Sequence, residues 1–172
     1  MILDILKAQN PADFTFLKKK AADVTSFGEA IQALADQMIE TMLAPNENGD
    51  PRGVGLAGPQ VGVGLNIFVM RTQHGIEHDT RESMVIINPH VLIETNGTEE
   101  EIEGCLSIPG LLGKVKRHKE LGVVFYDAYG HRKGMALSGF IARVFQHEKD
   151  HLDGILFTDR TKDLYVPKKK AS

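Results

Sequence analysis

The segment GFIARVFQHEKDHLDGILF, residues 139–157, decides how the rest of the chain is read. Its spacing predicts a helix from about Ser138, a candidate N-cap, to Asp153, with Gly154 placed to end it. His147 and His151 stand four residues apart, so one helix face carries both imidazoles about one turn apart, as gripping a metal ion requires. Phe140 and Val144 extend the same face, which turns the histidines toward an apolar interior. Glu148 sits beside them, where a carboxylate can take a proton from a water that a metal activates. H-E-x-x-H also arises by chance, so the segment alone leaves an ordinary amphipathic helix open.

A metal site needs a third ligand. No glutamate follows Glu148, and the position six beyond His151, where a metzincin-type histidine would stand, is Phe157. The carboxylates beyond the histidines are Asp153, Asp159 and Asp163. Upstream stands one cysteine, Cys105, within EGCLSIP (103–109). A lone cysteine forms no disulfide within its chain and is most often a small buried hydrophobe. As a thiolate it completes a three-ligand set with a fourth position open, the mark of a catalytic rather than a structural site.

The 172 residues are expected to form one domain, 1–172. They are 42% hydrophobic and 25% charged, which is ordinary globular usage. Twenty Lys and Arg against 23 Asp and Glu give a net charge of -3, so no direct nucleic-acid recognition is expected. No apolar stretch approaches the roughly 20 residues of a membrane span. Asp4 and Lys7 interrupt what would be the apolar core of a signal peptide, so a cytoplasmic protein with no membrane partner is expected.

Residues 26–43 read as an amphipathic helix, with Ser26 and Glu29 at capping-box spacing. Short strands are expected at 63–70, 84–88, 91–94, 114–117 and 122–128, separated by turn signals such as Asn88-Pro89 and Tyr129-Gly130. Helix, many short strands, then helix predicts the α+β class: mostly antiparallel sheets packed around a central metal-binding H-E-x-x-H helix. Gly53–Gly58 fits G-x-G-x-x-G, but NENGDPR precedes it and Pro59 follows. The strand before and helix after that a dinucleotide site requires are missing, so a nicotinamide- or flavin-binding reading lacks its context.

Three segments in order, GVGLAGPQ (53–60), EGCLSIP (103–109) and QHEKDH (146–151), resemble the signature motifs of the peptide deformylase family. The extended match over 139–157 strengthens the likeness, which spans about 105 residues. The resemblance implies hydrolytic removal of the formyl group from the N-terminal formyl-methionine of new polypeptides. Their N-formylmethionyl ends would be the partners. It implies Cys105, His147 and His151 as ligands of one divalent ion. Iron(II) is the family's usual ion, and zinc, nickel or cobalt can occupy the same site. Glu148 would act as general base and then acid, with the Gln60 side-chain amide and the Leu106 backbone N–H as oxyanion donors. Gly55 and Gly104 would expose backbone to an extended peptide, and Val54, Phe140 and Val144 are candidates for the methionine pocket.

Glu103 and Arg117 read either as an ion pair supporting the ligands or as an ordinary surface pair. His74, His78, His90, His118 and His131 read as surface or loop residues. Three departures from the family pattern carry expectations. Gly58 stands where the family usually has alanine, which would loosen the loop holding Gln60. Leu112 stands where many bacterial members have arginine, which would alter contact with the peptide beyond methionine. Only 15 residues follow Phe157, too few for the long C-terminal helix linked to ribosome docking, so that route of ribosome contact is not implied. Two alternatives stay open: a metallohydrolase of the same scaffold acting on another N-acyl amine, and a non-catalytic, metal-stabilised binding domain.

Overall fold

The computed structural model describes residues 1–46, 53–72, 83–95 and 97–167. His74 and His78, much of the loop before Gly53, and the basic tail from Lys168 lie outside the described residues. In chain order the elements are α1 (Pro11–Leu17), α2 (Glu29–Leu43), β1 (Gly55–Ala57), a 3₁₀ turn (Gly58–Val61), β2 (Ile67–Arg71), β3 (Ser83–Glu94), β4 (Thr98–Cys105), β5 (Ile108–His118), β6 (Glu120–Tyr126), β7 (Arg132–Ser138), α3 (Gly139–Leu152), α4 (Phe157–Arg160) and β8 (Leu164–Tyr165). The strands form a five-stranded sheet, β1-β2-β3-β6-β7, and a three-stranded sheet, β4-β5-β8. Among the described residues every ladder between these strands is antiparallel, as the α+β reading expects.

β2 explains the layering. Its five residues are all buried, and alternate side chains serve two cores. Ile67 and Val69 pack with Met38 and Met42 of α2, while Phe68 and Met70 pack with Val144 and Phe145 of α3. The Phe68 and Phe145 rings meet edge to face, centroids 5.3 Å apart. A third cluster, with Leu17, Ile108, Val115 and Phe157, fills the space between the smaller sheet and helices α1 and α4. Helix α3 touches β1, β2, β6 and β7 of one sheet and β5 of the other, so the H-E-x-x-H segment lies between the two sheets.

Several boundaries differ from expectation for identifiable reasons. Helix α2 starts at Glu29 with Gly28 as N-cap, so Ser26 and Glu29 form no capping box. Gly28 is itself extended, and Phe27 before it packs against the Tyr126 ring, centroids 5.5 Å apart. Helix α3 does follow Ser138 and ends before Gly154, whose φ of +71° a side chain would strain, though the Ser138 side chain makes no cap bond. Asn88-Pro89 marks a bulge rather than a turn, so the two short strands expected there are one, β3. Asn88 takes φ +49° and its amide bonds both backbone groups of Val24, at 2.9 and 2.8 Å. Helix α1 was not expected, although Asn10 caps Ala12 and Asp13 and Pro11 occupies the first turn.

Candidate metal centre

One strand end, one helix and a 3₁₀ turn build the centre. β4 delivers Cys105 at its last residue, Leu106 and Ser107 form the tight turn to β5, and α3 presents His147, Glu148 and His151. The 3₁₀ turn brings in Gln60. Ligand atoms of Cys105, His147 and His151 all lie within 4.8 Å of one another, and Cys105 Sγ is 3.3 Å from His151 Nε2. The three residues therefore converge. One thiolate and two imidazoles suit a borderline-soft divalent ion.

Charge around the centre supports that fit. Burial alone would raise the Cys105 thiol, but the adjoining His151 and His147 hold it well below its ordinary value. Burial likewise opposes charge on His147, yet its bonds to Cys105 and Glu103 hold it well above the usual imidazole range. Glu148 is 4% exposed, and burial pushes its carboxyl up to about 7 against the pull of His147 and His151. Among the described residues, Glu148 Oε2 and His151 Nδ1 are buried without protein partners. An orphaned carboxylate oxygen beside three converging ligand atoms is what a water held at a metal would satisfy.

Behind the ligands lies a buried ionic network. Glu103 accepts from His147 Nδ1 at 2.9 Å, which fixes the ring and leaves Nε2 for a metal. Arg117 grips Glu103 with Nε and a terminal nitrogen, both at 2.9 Å, so the pair is an internal support and not a surface pair. Arg117 also donates to Asp150 at 2.6 Å, and Asp150 accepts from Arg160. Arg143, 5% exposed, donates to Glu103 at 2.9 Å and to the Val115 carbonyl at 2.8 Å. Burial opposes ionisation of Glu103, but bonds from His147 and Arg117 hold its carboxyl at about 2. Sequence reading missed Arg143 and Asp150. The available signal was a charge inside the apolar run FIARVF, where a buried arginine must find an anion.

Gln60 is 1% exposed, and its Oε1 accepts the Ala57 N–H at 2.8 Å. That bond points Nε2 at the centre, 3.5 Å from Cys105 Sγ and 3.3 Å from Ser107 Oγ. Among the described residues the Leu106 N–H meets no acceptor. Gly55 is buried, and a Cβ there would stand 2.7 Å from Glu148 Cδ and Cγ, so its missing side chain is the room Glu148 occupies. Gly104 is exposed on β4, against Leu112. Gly58 does not leave a loose loop: a Cβ there would lie 2.9 Å from the Val63 carbonyl, and the Gly58 carbonyl accepts the Val63 N–H. Val54 is 37% exposed, Phe140 is half-buried, and Val144, 4% exposed, belongs to the core that holds Phe68. His90, His118 and His131 stay outside the ligand group.

Glycines 55 and 58 also settle the dinucleotide question. β1 begins inside the G-x-G-x-x-G stretch and a 3₁₀ turn follows it, so no helix N-terminus faces a phosphate there. Among the described residues no helix is long and apolar enough to cross a membrane.

Comparison with known proteins agrees with this geometry. A model of the family described as polypeptide deformylase matches residues 2–166. The peptide deformylase of Symbiobacterium thermophilum is 42% identical over 163 residues, covering 95% of this chain and 68% of the relative. The crystal structure of peptide deformylase from Thermotoga maritima superposes with a TM-score of 0.80 at 36% identity, covering 94% of this chain and 99% of that one. A peptide deformylase from Acinetobacter baumannii, solved with Met-Ala-Ser bound, gives 0.79 at 31% identity, covering 94% and 99%. With the match running nearly end to end and the Cys/His/His group in place, this chain belongs to the peptide deformylase family of hydrolases.

Proposed function

We propose that the protein hydrolyses the formyl group from N-formylmethionyl peptides, the ends of nascent chains, releasing formate and a free amine. The observation that carries this reading is the convergence of Cys105, His147 and His151 beside a buried, unpartnered Glu148 oxygen. Cys105, His147 and His151 would hold one divalent ion, iron(II) by family resemblance, with zinc, nickel or cobalt able to take its place. Such an ion supplies a Lewis acid that polarises the formyl oxygen and eases ionisation of water.

The chain's own groups do the rest. Glu148 takes a proton from the attacking water as oxygen bonds to the formyl carbon, then delivers it to the amine nitrogen as the C–N bond breaks. A carboxyl near pKa 7 suits both halves of that task at neutral pH. Gln60 Nε2 and the Leu106 N–H donate to the oxyanion that develops on the formyl oxygen, and the Gln60 amide is fixed before substrate arrives.

The peptide would lie between two sheet edges. β1 and β4 are edge strands of their sheets, and both border the centre, β1 through Gly55 and β4 through Cys105. An extended substrate can add to such an edge by backbone hydrogen bonds, with Gly104 leaving its approach open. Val54, Phe140 and Val144 are proposed for the methionine side chain. The acidic net charge and the match over residues 2–166 support one cytoplasmic catalytic domain, 1–172. Turnover of formyl-Met-Ala-Ser but not acetyl-Met-Ala-Ser by the iron-loaded protein is the expected result. Equal turnover of both would favour a broader N-acyl hydrolase, and binding without turnover a non-catalytic domain.

A further inference from the structure

The N-terminal segment holds none of the three signature motifs, yet it runs past both loops of the centre. The Leu6 N–H donates to the Gln60 carbonyl at 2.8 Å, and the Ala8 N–H to the Ser107 carbonyl at 2.8 Å. Between them Lys7 Nζ donates to the Leu106 carbonyl at 2.7 Å. The Lys7 N–H is in turn held by Asp13 at 2.8 Å, a residue of α1, so the segment is anchored independently of the turn it touches.

Leu106 and Ser107 are the two central residues of the turn joining β4 to β5, with Cys105 paired to Ile108. The peptide group between them is the one whose rotation interconverts turn types. Its carbonyl is the atom Lys7 holds, through a charge-assisted bond that is stronger than a neutral one. Ser107, the next residue of the turn, places its Oγ 3.3 Å from Gln60 Nε2. The Leu106 N–H lies on the preceding peptide, one Cα from the carbonyl that Lys7 holds, so the ammonium restrains the backbone on the far side of the donor and, through Ser107, the residue against the Gln60 amide. We propose that Lys7 is a positioning residue that locks the Leu106–Ser107 turn and so holds the Leu106 N–H and the Gln60 amide in place for the reaction. This inference rests on the proposed deformylation for its kinetic consequence, but not for its structural one.

The test uses the full metal-loaded chain with Lys7→Met, which keeps the apolar stem, and Lys7→Arg, which restores a charged donor. Removing a whole oxyanion donor costs about 10²–10³ in kcat, so loosening two donors is expected to cost about tenfold. Lys7→Met should therefore lower kcat for formyl-Met-Ala-Ser about tenfold with KM nearly unchanged, and Lys7→Arg should recover most of it. In parallel, amide relaxation dispersion should appear at Leu106, Ser107 and Ile108 in Lys7→Met while α3 stays quiet. Unchanged kcat with a quiet turn overturns the proposal. So does dispersion spread through α2 and α3, or failure of Lys7→Arg to recover the rate. If the wild-type protein releases no formate, the functional reading fails, and the dispersion measurement alone decides whether Lys7 locks the turn.

Discussion

Replacing Gly55 with alanine separates two roles for this glycine. If Gly55 serves only to let a peptide approach, an added methyl should weaken substrate binding and raise KM. The structure gives the methyl a different neighbour. It would stand 2.7 Å from Glu148 Cδ and Cγ, where ordinary contact begins at 3.4 Å, so the carboxylate must move by about 0.7 Å or more. Glu148 is buried and cannot swing into solvent, and β1 is held by five-residue strand β2 behind it. A misplacement near 1 Å of a reacting group costs about 100-fold, which is about 2.7 kcal/mol of barrier. Gly55→Ala should lower kcat by about that factor with KM little changed, because the loss falls on the proton-transferring group. Steady-state formate release across a range of formyl-peptide concentrations gives both constants, and circular dichroism melting checks that the fold survives. A raised KM with wild-type kcat would refute the assignment of this space to Glu148.

Three further outcomes follow from the same geometry. Glu103 has its pKa lowered from 4.5 to about 2, so it favours the folded state above pH 4.5 and that contribution is lost as pH falls toward 2. It amounts to something on the order of 3 kcal/mol, and urea unfolding between pH 5 and 2 should show a slope that flattens in Glu103→Gln by about one proton. A pH slope identical in both proteins would count against the buried network. Gln60→Ala should lower kcat about 10²–10³-fold with metal content unchanged, whereas a loss confined to metal binding would move Gln60 out of the oxyanion role. Gly58→Ala, although it matches the family's usual residue, should destabilise by about 1–3 kcal/mol because the methyl meets the Val63 and Leu65 carbonyls at 2.9 and 3.0 Å. A raised melting temperature would show that the loop gives way easily.

The parts of the molecule that obey local rules were readable in the sequence. Helix α3 shows its periodicity and its glycine stop, and the two histidines and Cys105 announce themselves by chemistry and order. β4 was not readable, because TEEEIEGC has no apolar alternation: the residue it buries is Glu103, whose partners Arg117, Arg143 and His147 come from β5 and α3. β7 was equally hidden, since only Leu137 of its seven residues is buried and the strand is held by its ladder to β6. The role of Gly55 depends on Glu148, 93 positions away, and that of Lys7 on Leu106, 99 positions away. No spacing rule reports contacts of that range, and both lie at the centre, where local pattern yields to function.

One paired measurement tests the metal centre and its proton path most directly. Wild-type protein and Glu148→Ala are loaded anaerobically with iron(II), because a ferrous thiolate site is open to oxidation, and metal content and formate release from formyl-Met-Ala-Ser are read on the same samples. The expected result is one bound metal per chain in both proteins, rapid formate release by the wild type, and release lost in Glu148→Ala. Turnover that survives in Glu148→Ala with metal bound would contradict the assigned proton path. A fully loaded wild type that releases no formate would contradict the proposed function itself.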